Sequence, residues 1–103
     1  MLDLDQLETL QAEIGADGYA EVADLLVCEI ADGITALGTQ PTGADLSAQF
    51  HYLKGSALNL GFRDFAALCA QGEQGEQGLP VDTAALQQVF DASVLALQRW
   101  ANP

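Results

Sequence analysis

Positive charge is what this sequence has least of: 3 Lys and Arg and a single His stand against 15 Asp and Glu, a formal net charge of −12. That balance excludes the basic footprint that holds nucleic acid or an anionic lipid surface. Cysteine is scarce as well. Cys28 and Cys69 fit neither a disulfide framework nor a CxxC metal or redox motif. A lone histidine is too few for a His-based zinc site. No stretch approaches the ~20 apolar residues that a membrane span needs. The opening Met1-Leu2-Asp3-Leu4-Asp5 is acidic with no apolar run behind it, unlike a secretory or transit signal. The expectation from these absences is a cytoplasmic protein with reduced thiols and no membrane association.

Alternating β-branched runs are also missing, and helical periodicity fills the chain instead. Leu4, Leu7, Leu10 and Ile14 recur at spacings of three and four, Asp3 with Gln6 forms a variant capping box, and Gly15 is a stop. A second helix is predicted from about Asp17 to Leu37 through Tyr19, Val22, Leu26, Ile30 and Ile34, broken by Gly38-Thr39-Gln40-Pro41. Thr42 and Asp45 start a third, which Gly61 ends. The fourth begins near Phe62 and uses Phe65, Leu68 and Cys69; the fifth follows Leu79-Pro80 with Asp82 as N-cap and runs through Leu86, Phe90, Val94, Leu97 and Trp100. Amphipathic helices joined by short loops pack as antiparallel neighbours. The expected fold is all-α, an antiparallel four-helix bundle with a short additional N-terminal helix, one domain over residues 1–103. Gln71 to Gly78 repeats glycine every third place and reads as the weak, fraying end of the fourth helix, a flexible hinge being the alternative.

His51 is the side chain suited to transfer chemistry near neutral pH. On a wheel of about 100° per residue with Leu46 at zero, Phe50, Leu53, Ala57 and Leu60 fall within roughly 40° and form the buried stripe. His51 falls near 140°, Gly55 near 180°, Leu58 near 120°, Ser47 near 100° and Lys54 near 80°, roughly the opposite flank. Lys54 stands one turn from His51. Glycine inside a helix is costly, and Gly55, on the outer face, gives a partner close access to the imidazole. Leu58 adds an apolar contact there. Ser56, near 280° on the same wheel, is expected to hydrogen-bond within its own helix or to the next. Glu73 is expected in solvent, orientation of the imidazole being the alternative, and Arg63 is expected in solvent. Cys28 and Cys69 are expected in the core, and Trp100 at the closed end of the bundle.

The run Phe50-His51-Tyr52-Leu53-Lys54-Gly55-Ser56-Ala57-Leu58-Asn59-Leu60-Gly61-Phe62, then Leu68-Cys69 and Glu73, resembles the histidine-containing phosphotransfer (HPt) domain. Its hallmark is H-x-L-K-G-S/A followed by a glycine-ended helix and a Cys-x-x-x-Glu continuation. The match is contiguous over His51 to Ala57, and the predicted helices cover essentially the whole chain. The Gly-rich stretch departs from the family, which has stronger helix formers there. The resemblance implies a bundle whose histidine takes a phosphoryl group from the aspartate of a response-regulator receiver domain and passes it to another. The implied partners are receiver domains and an upstream hybrid histidine kinase. No cofactor is expected on this chain, and any Mg²⁺ is expected on the partner receiver domain.

Physical reasoning leads to the same chemistry. Neutral imidazole is a good nucleophile, and Nε2, farther from the helix backbone than Nδ1, is the expected attacking atom. In-line phosphoryl transfer needs positioning and cancellation of charge on the equatorial oxygens, and Lys54 is the expected local cation. Ser47, Gly55 and Leu58 are expected to meet the partner. The sequence has no Gly-rich phosphate loop, so a carrier is expected, not an enzyme; the HPt resemblance and the lack of an extra apolar helix face favour a monomer. The alternative is an acidic helical module that sequesters a receiver or other partner without phosphotransfer. A hydrolase lacks the necessary nucleophile–base arrangement.

Overall fold

The computed structural model describes residues 2–74 and 82–101, and within them it is a bundle of five α-helices. They are α1 (Leu4–Ile14), α2 (Ala16–Leu37), α3 (Gly43–Asn59), α4 (Arg63–Gln74) and α5 (Thr83–Ala101). Each boundary has a local cause. The Asp3 carboxylate accepts from the Gln6 N–H at 3.2 Å and caps α1. Asp82 accepts from the Ala85 N–H at 3.0 Å and does the same for α5. Gly15, at φ +84°, ends α1 and turns the chain directly into α2. The Thr42 side chain makes no capping bond to α3.

The turn from α3 to α4 is the most constrained. Phe62 N–H reaches back to the Ala57 carbonyl at 2.8 Å and Gly61 N–H to the Leu58 carbonyl at 3.1 Å, the pairing of a Schellman motif. Gly61 holds φ +69°, and a Cβ there would lie 2.7 Å from the Asp3 carbonyl oxygen. The segment before α1 occupies that space: Asp3 N–H donates to the Gly61 carbonyl at 2.8 Å, and Leu2 and Phe62 form a single antiparallel bridge.

Helices α2, α3, α4 and α5 pack in a ring, each touching its two neighbours, while α1 lies against α2 and α3. The core runs through all five: Leu7, Ile30, Leu37, Leu53, Leu60, Phe62 and Phe65 are fully buried. Phe90 of α5 meets Phe62 and Phe65 edge-on at centroid distances of 6.4 and 6.0 Å, an arrangement favoured by the ring quadrupoles. Truncating a fully buried leucine such as Leu53 to alanine costs about 2–5 kcal/mol in such a core. Trp100 packs edge-on to Tyr19 at 6.1 Å and lies against the core at the end of the bundle.

The stripe on α3 follows its wheel: Phe50, Leu53, Ala57 and Leu60 are buried, with Leu46 partly buried against them. Cys69 is buried, whereas Cys28, also expected in the core, is exposed. The reason is angular: Tyr19, Ala23, Ile34 and Leu37 cluster around Ile30, and Cys28 falls about 160° from it. The glycine-rich segment is described through Gln74 and forms the end of α4 there. Gly72 sits where a Cβ would be 2.6 Å from the Phe50 ring. Glycine there lets α4 approach α3 closely. The rest of that segment, 75–78, lies outside the described residues. Among the described residues no helix is long and apolar enough to cross a membrane.

Candidate functional site

The close approach at Gly72 places the next residue, Glu73, against the outer flank of α3. His51 and Glu73 are each eleven positions from Phe62, so two helices running antiparallel from that turn bring them level. Glu73 Oε1 lies 3.1 Å from His51 Nδ1, and its Oε2 accepts from Lys54 Nζ at 2.8 Å. One carboxylate thus bridges the imidazole and the ammonium. The exposures differ sharply: the His51 side chain is 76% exposed and that of Glu73 only 17%.

This corrects the expectation for Glu73. Its partners are on α3, and of the two alternatives the contact with the imidazole is the one present. A one-helix wheel cannot show that pairing, but the register set by the Gly61 turn could have. Lys54, 27% exposed, is likewise not a free-swinging cation. Its ammonium is anchored on Oε2, and with three N–H donors it retains capacity for a second anion.

The electrostatics fix the chemistry of the ring. Lys54's hydrogen bond, followed by its charge and then the bond and charge of His51, holds the Glu73 carboxyl below its ordinary range against some desolvation. Glu73 is therefore ionised at neutral pH and can only accept. In neutral imidazole one nitrogen carries the proton and the other the lone pair. A carboxylate at Nδ1 selects the Nδ1–H tautomer, as in carboxylate–histidine pairs generally. The lone pair is then on Nε2, on the exposed side of the ring. One turn below Glu73, burial, with the Glu73 charge second, pushes the Cys69 thiol up to about 12, so it stays protonated and inert.

The remaining predicted residues lie on α3 and at the start of α4. Gly55 is exposed, and nothing lies within 4 Å of where its Cβ would be. Leu58 is 51% exposed and Ser47 is exposed. Ser56 is buried, off this face. Tyr52, unremarked in the sequence, is half exposed; its hydroxyl is raised chiefly by the hydrogen bond it gives to Glu29 of α2. Arg63, expected in solvent, is 65% exposed and lies 3.7 Å from the Asp3 carboxylate, near the opposite end of α4 from Glu73. A groove of about 470 Å³ flanks α3 between Pro41, Gln49 and Tyr52, and His51 is not among its lining residues. The His51 side chain stands largely in solvent.

The family model described as Hpt domain matches residues 3–100, nearly the whole chain. No curated protein and no solved structure matches. Members of this family are phosphoryl carriers in histidine phosphotransfer relays, working with receiver domains and histidine kinases. By the extent of that match, with the bundle and the exposed histidine on its third helix, the chain belongs to the histidine-containing phosphotransfer domain family.

Proposed function

We propose that the chain carries a phosphoryl group on Nε2 of His51, taking it from the aspartyl phosphate of one receiver domain and handing it to another. The observation that carries this reading is the contact of Glu73 Oε1 with His51 Nδ1 at 3.1 Å on a ring that is otherwise open to solvent. It leaves a lone pair on the other, outward nitrogen. The Nε2 lone pair attacks phosphorus in line with the departing carboxylate oxygen, the N–P bond forming as the P–O bond breaks. Lys54 contributes a positive charge beside the transferring group, while Mg²⁺ belongs to the partner receiver and none is required on this chain. Ser47, Gly55 and Leu58 form the ground on which the receiver sits, Gly55 by allowing close approach. The protein acts as a cytoplasmic monomeric carrier and not as an enzyme.

Incubation with a phosphorylated receiver domain should place an acid-labile, alkali-stable phosphate on the protein, and His51→Gln should abolish it. Absence of transfer from every receiver of the source organism would overturn the reading. Receiver binding that survives His51→Gln, again without transfer, would establish a sequestering module in its place.

A further inference from the structure

We propose that the outer face of α5 is a self-complementary docking surface for a second copy of this chain, the two helices pairing antiparallel about a twofold axis at Leu95. Leu86, Phe90, Ser93 and Leu97 form the buried side of α5. At about 100° per residue, all four lie within roughly 40° of the direction opposite Leu95. Leu95 therefore points straight away from the core, and it is 47% exposed. Asp91 and Arg99, both exposed, flank it one turn before and one turn after, each about 40° to one side.

The order of those charges makes the face fit itself. In an antiparallel pair centred on Leu95, the two leucines meet, Asp91 of each copy stands opposite Arg99 of the other, and no like charges face each other. A parallel pair would instead set Asp91 against Asp91 and Arg99 against Arg99. A twofold interface is isologous, so every contact occurs twice, and here both occurrences are attractive. The groups are available for it. Arg99 belongs to none of the ion pairs formed among the described residues. Asp91 accepts from Gln87 Nε2 at 2.9 Å on the exposed surface, which leaves its carboxylate with further acceptor sites.

Charge also selects this helix over the other faces. Helix α5 contains one acid and one cation, so the net −12 of the chain lies outside it, and the remaining surface of one copy repels that of another. Leu25 on α2 is more exposed, at 59%, but Glu21, Glu29 and Asp32 stand around it on the helix and turn a second copy away. Pairing through α5 leaves the phosphotransfer face clear. Helix α3 touches α2 and α4 and not α5, so it lies across the ring, and the two His51 side chains face outward on opposite sides of the pair. The pair is a carrier with two sites open at once. One helix per copy falls short of the roughly 800 Å² per partner of a stable interface, so the pairing is weak and the dilute carrier is monomeric.

Sedimentation equilibrium of the full chain tests the pairing at concentrations from about 1 μM to about 1 mM. Salt is held at about 0.15 M, where the background charge is screened beyond about 8 Å. The mass should rise with concentration from the 10.8 kDa of one chain toward twice that. Asp91→Arg and Arg99→Asp each set like charges together at both contacts, and each should weaken association about tenfold. An equal mixture of the two variants should restore it, because each supplies the charge that the other lacks, and so should both substitutions in one chain. Leu95→Gln should weaken association as well. All three positions are exposed, so circular dichroism should show every variant folded. A mass that stays at one chain throughout would overturn the proposal and leave the face to a different protein. Association that the single reversals leave unchanged, or that the mixture fails to restore, would overturn it equally, by placing the second copy on another face.

Discussion

At the scale of single residues the site depends on one carboxylate with two partners, and its pH behaviour follows from the stronger of them. Lys54 holds the folded-state carboxyl of Glu73 below its ordinary value of 4.5. A group depressed on folding contributes stability that is complete above its unfolded value and is lost as pH falls through the folded one. The stability advantage of wild type over Glu73→Gln should therefore shrink steadily as pH falls below 4.5. Urea midpoints across pH 3 to 5 measure it; a gap that widens between 4.5 and 3 would contradict the pairing. The same geometry explains why Lys54 and His51 were readable early and Glu73 was not. The first two lie on one helix, where spacing alone brings them together. Glu73 comes from another helix and needs a register as well as a periodicity.

At the scale of elements, α3 and α4 act as a hairpin whose spacing is set at two glycines. Gly61 makes the turn, and Gly72 lets α4 settle onto Phe50. Alanine is the better helix former at an interior position by about 1 kcal/mol, so on propensity alone Gly72→Ala would stabilise α4. The Cβ would instead stand 2.6 Å from the Phe50 ring, and overpacking of this kind costs about 1–3 kcal/mol. Gly72→Ala should lower stability by about 1 kcal/mol net and, by moving α4 outward, lengthen the Glu73–His51 contact. Denaturation together with the His51 tautomer population would check both; a stabilised variant with an unchanged tautomer would show that the close approach is unimportant. Local pattern made the buried stripe of α3, the Asp3 and Asp82 caps and the Gly15 stop legible, because each depends on residues within one turn of one another. Gly72 was read as weakness for the same reason: the cost of glycine is local, and its benefit lies on the neighbouring helix. Cys28 is a different case: it sits among apolar residues in the sequence but about 160° from Ile30 on the helix, outside the buried stripe.

At the scale of the whole molecule, the scarcity of positive charge gives Lys54 its weight. The chain carries −12, and an arriving phosphoryl group brings further negative charge to a face where Glu73 is already ionised. Lys54 neutralises that carboxylate at 2.8 Å. Replacing it with methionine keeps much of the apolar stem but leaves Glu73 uncompensated beside the reacting nitrogen, within a field of one sign. Two consequences separate by range. The contact between Lys54 and Glu73 is short and partly buried, so salt weakens it little, whereas the background field from distant carboxylates is screened over about 10 Å at 0.1 M ionic strength. If Lys54 works by opposing that field, Lys54→Met should slow transfer from a phosphorylated receiver about tenfold at low salt, a barrier change of about 1.4 kcal/mol, and the deficit should narrow at 0.5 M salt. Transfer rates for both proteins at the two salt concentrations, with circular dichroism to confirm folding, decide it. An equal deficit at both would confine the role of Lys54 to its contact with Glu73 and the phosphoryl oxygens, and would make the acidity of the rest of the molecule irrelevant to the chemistry.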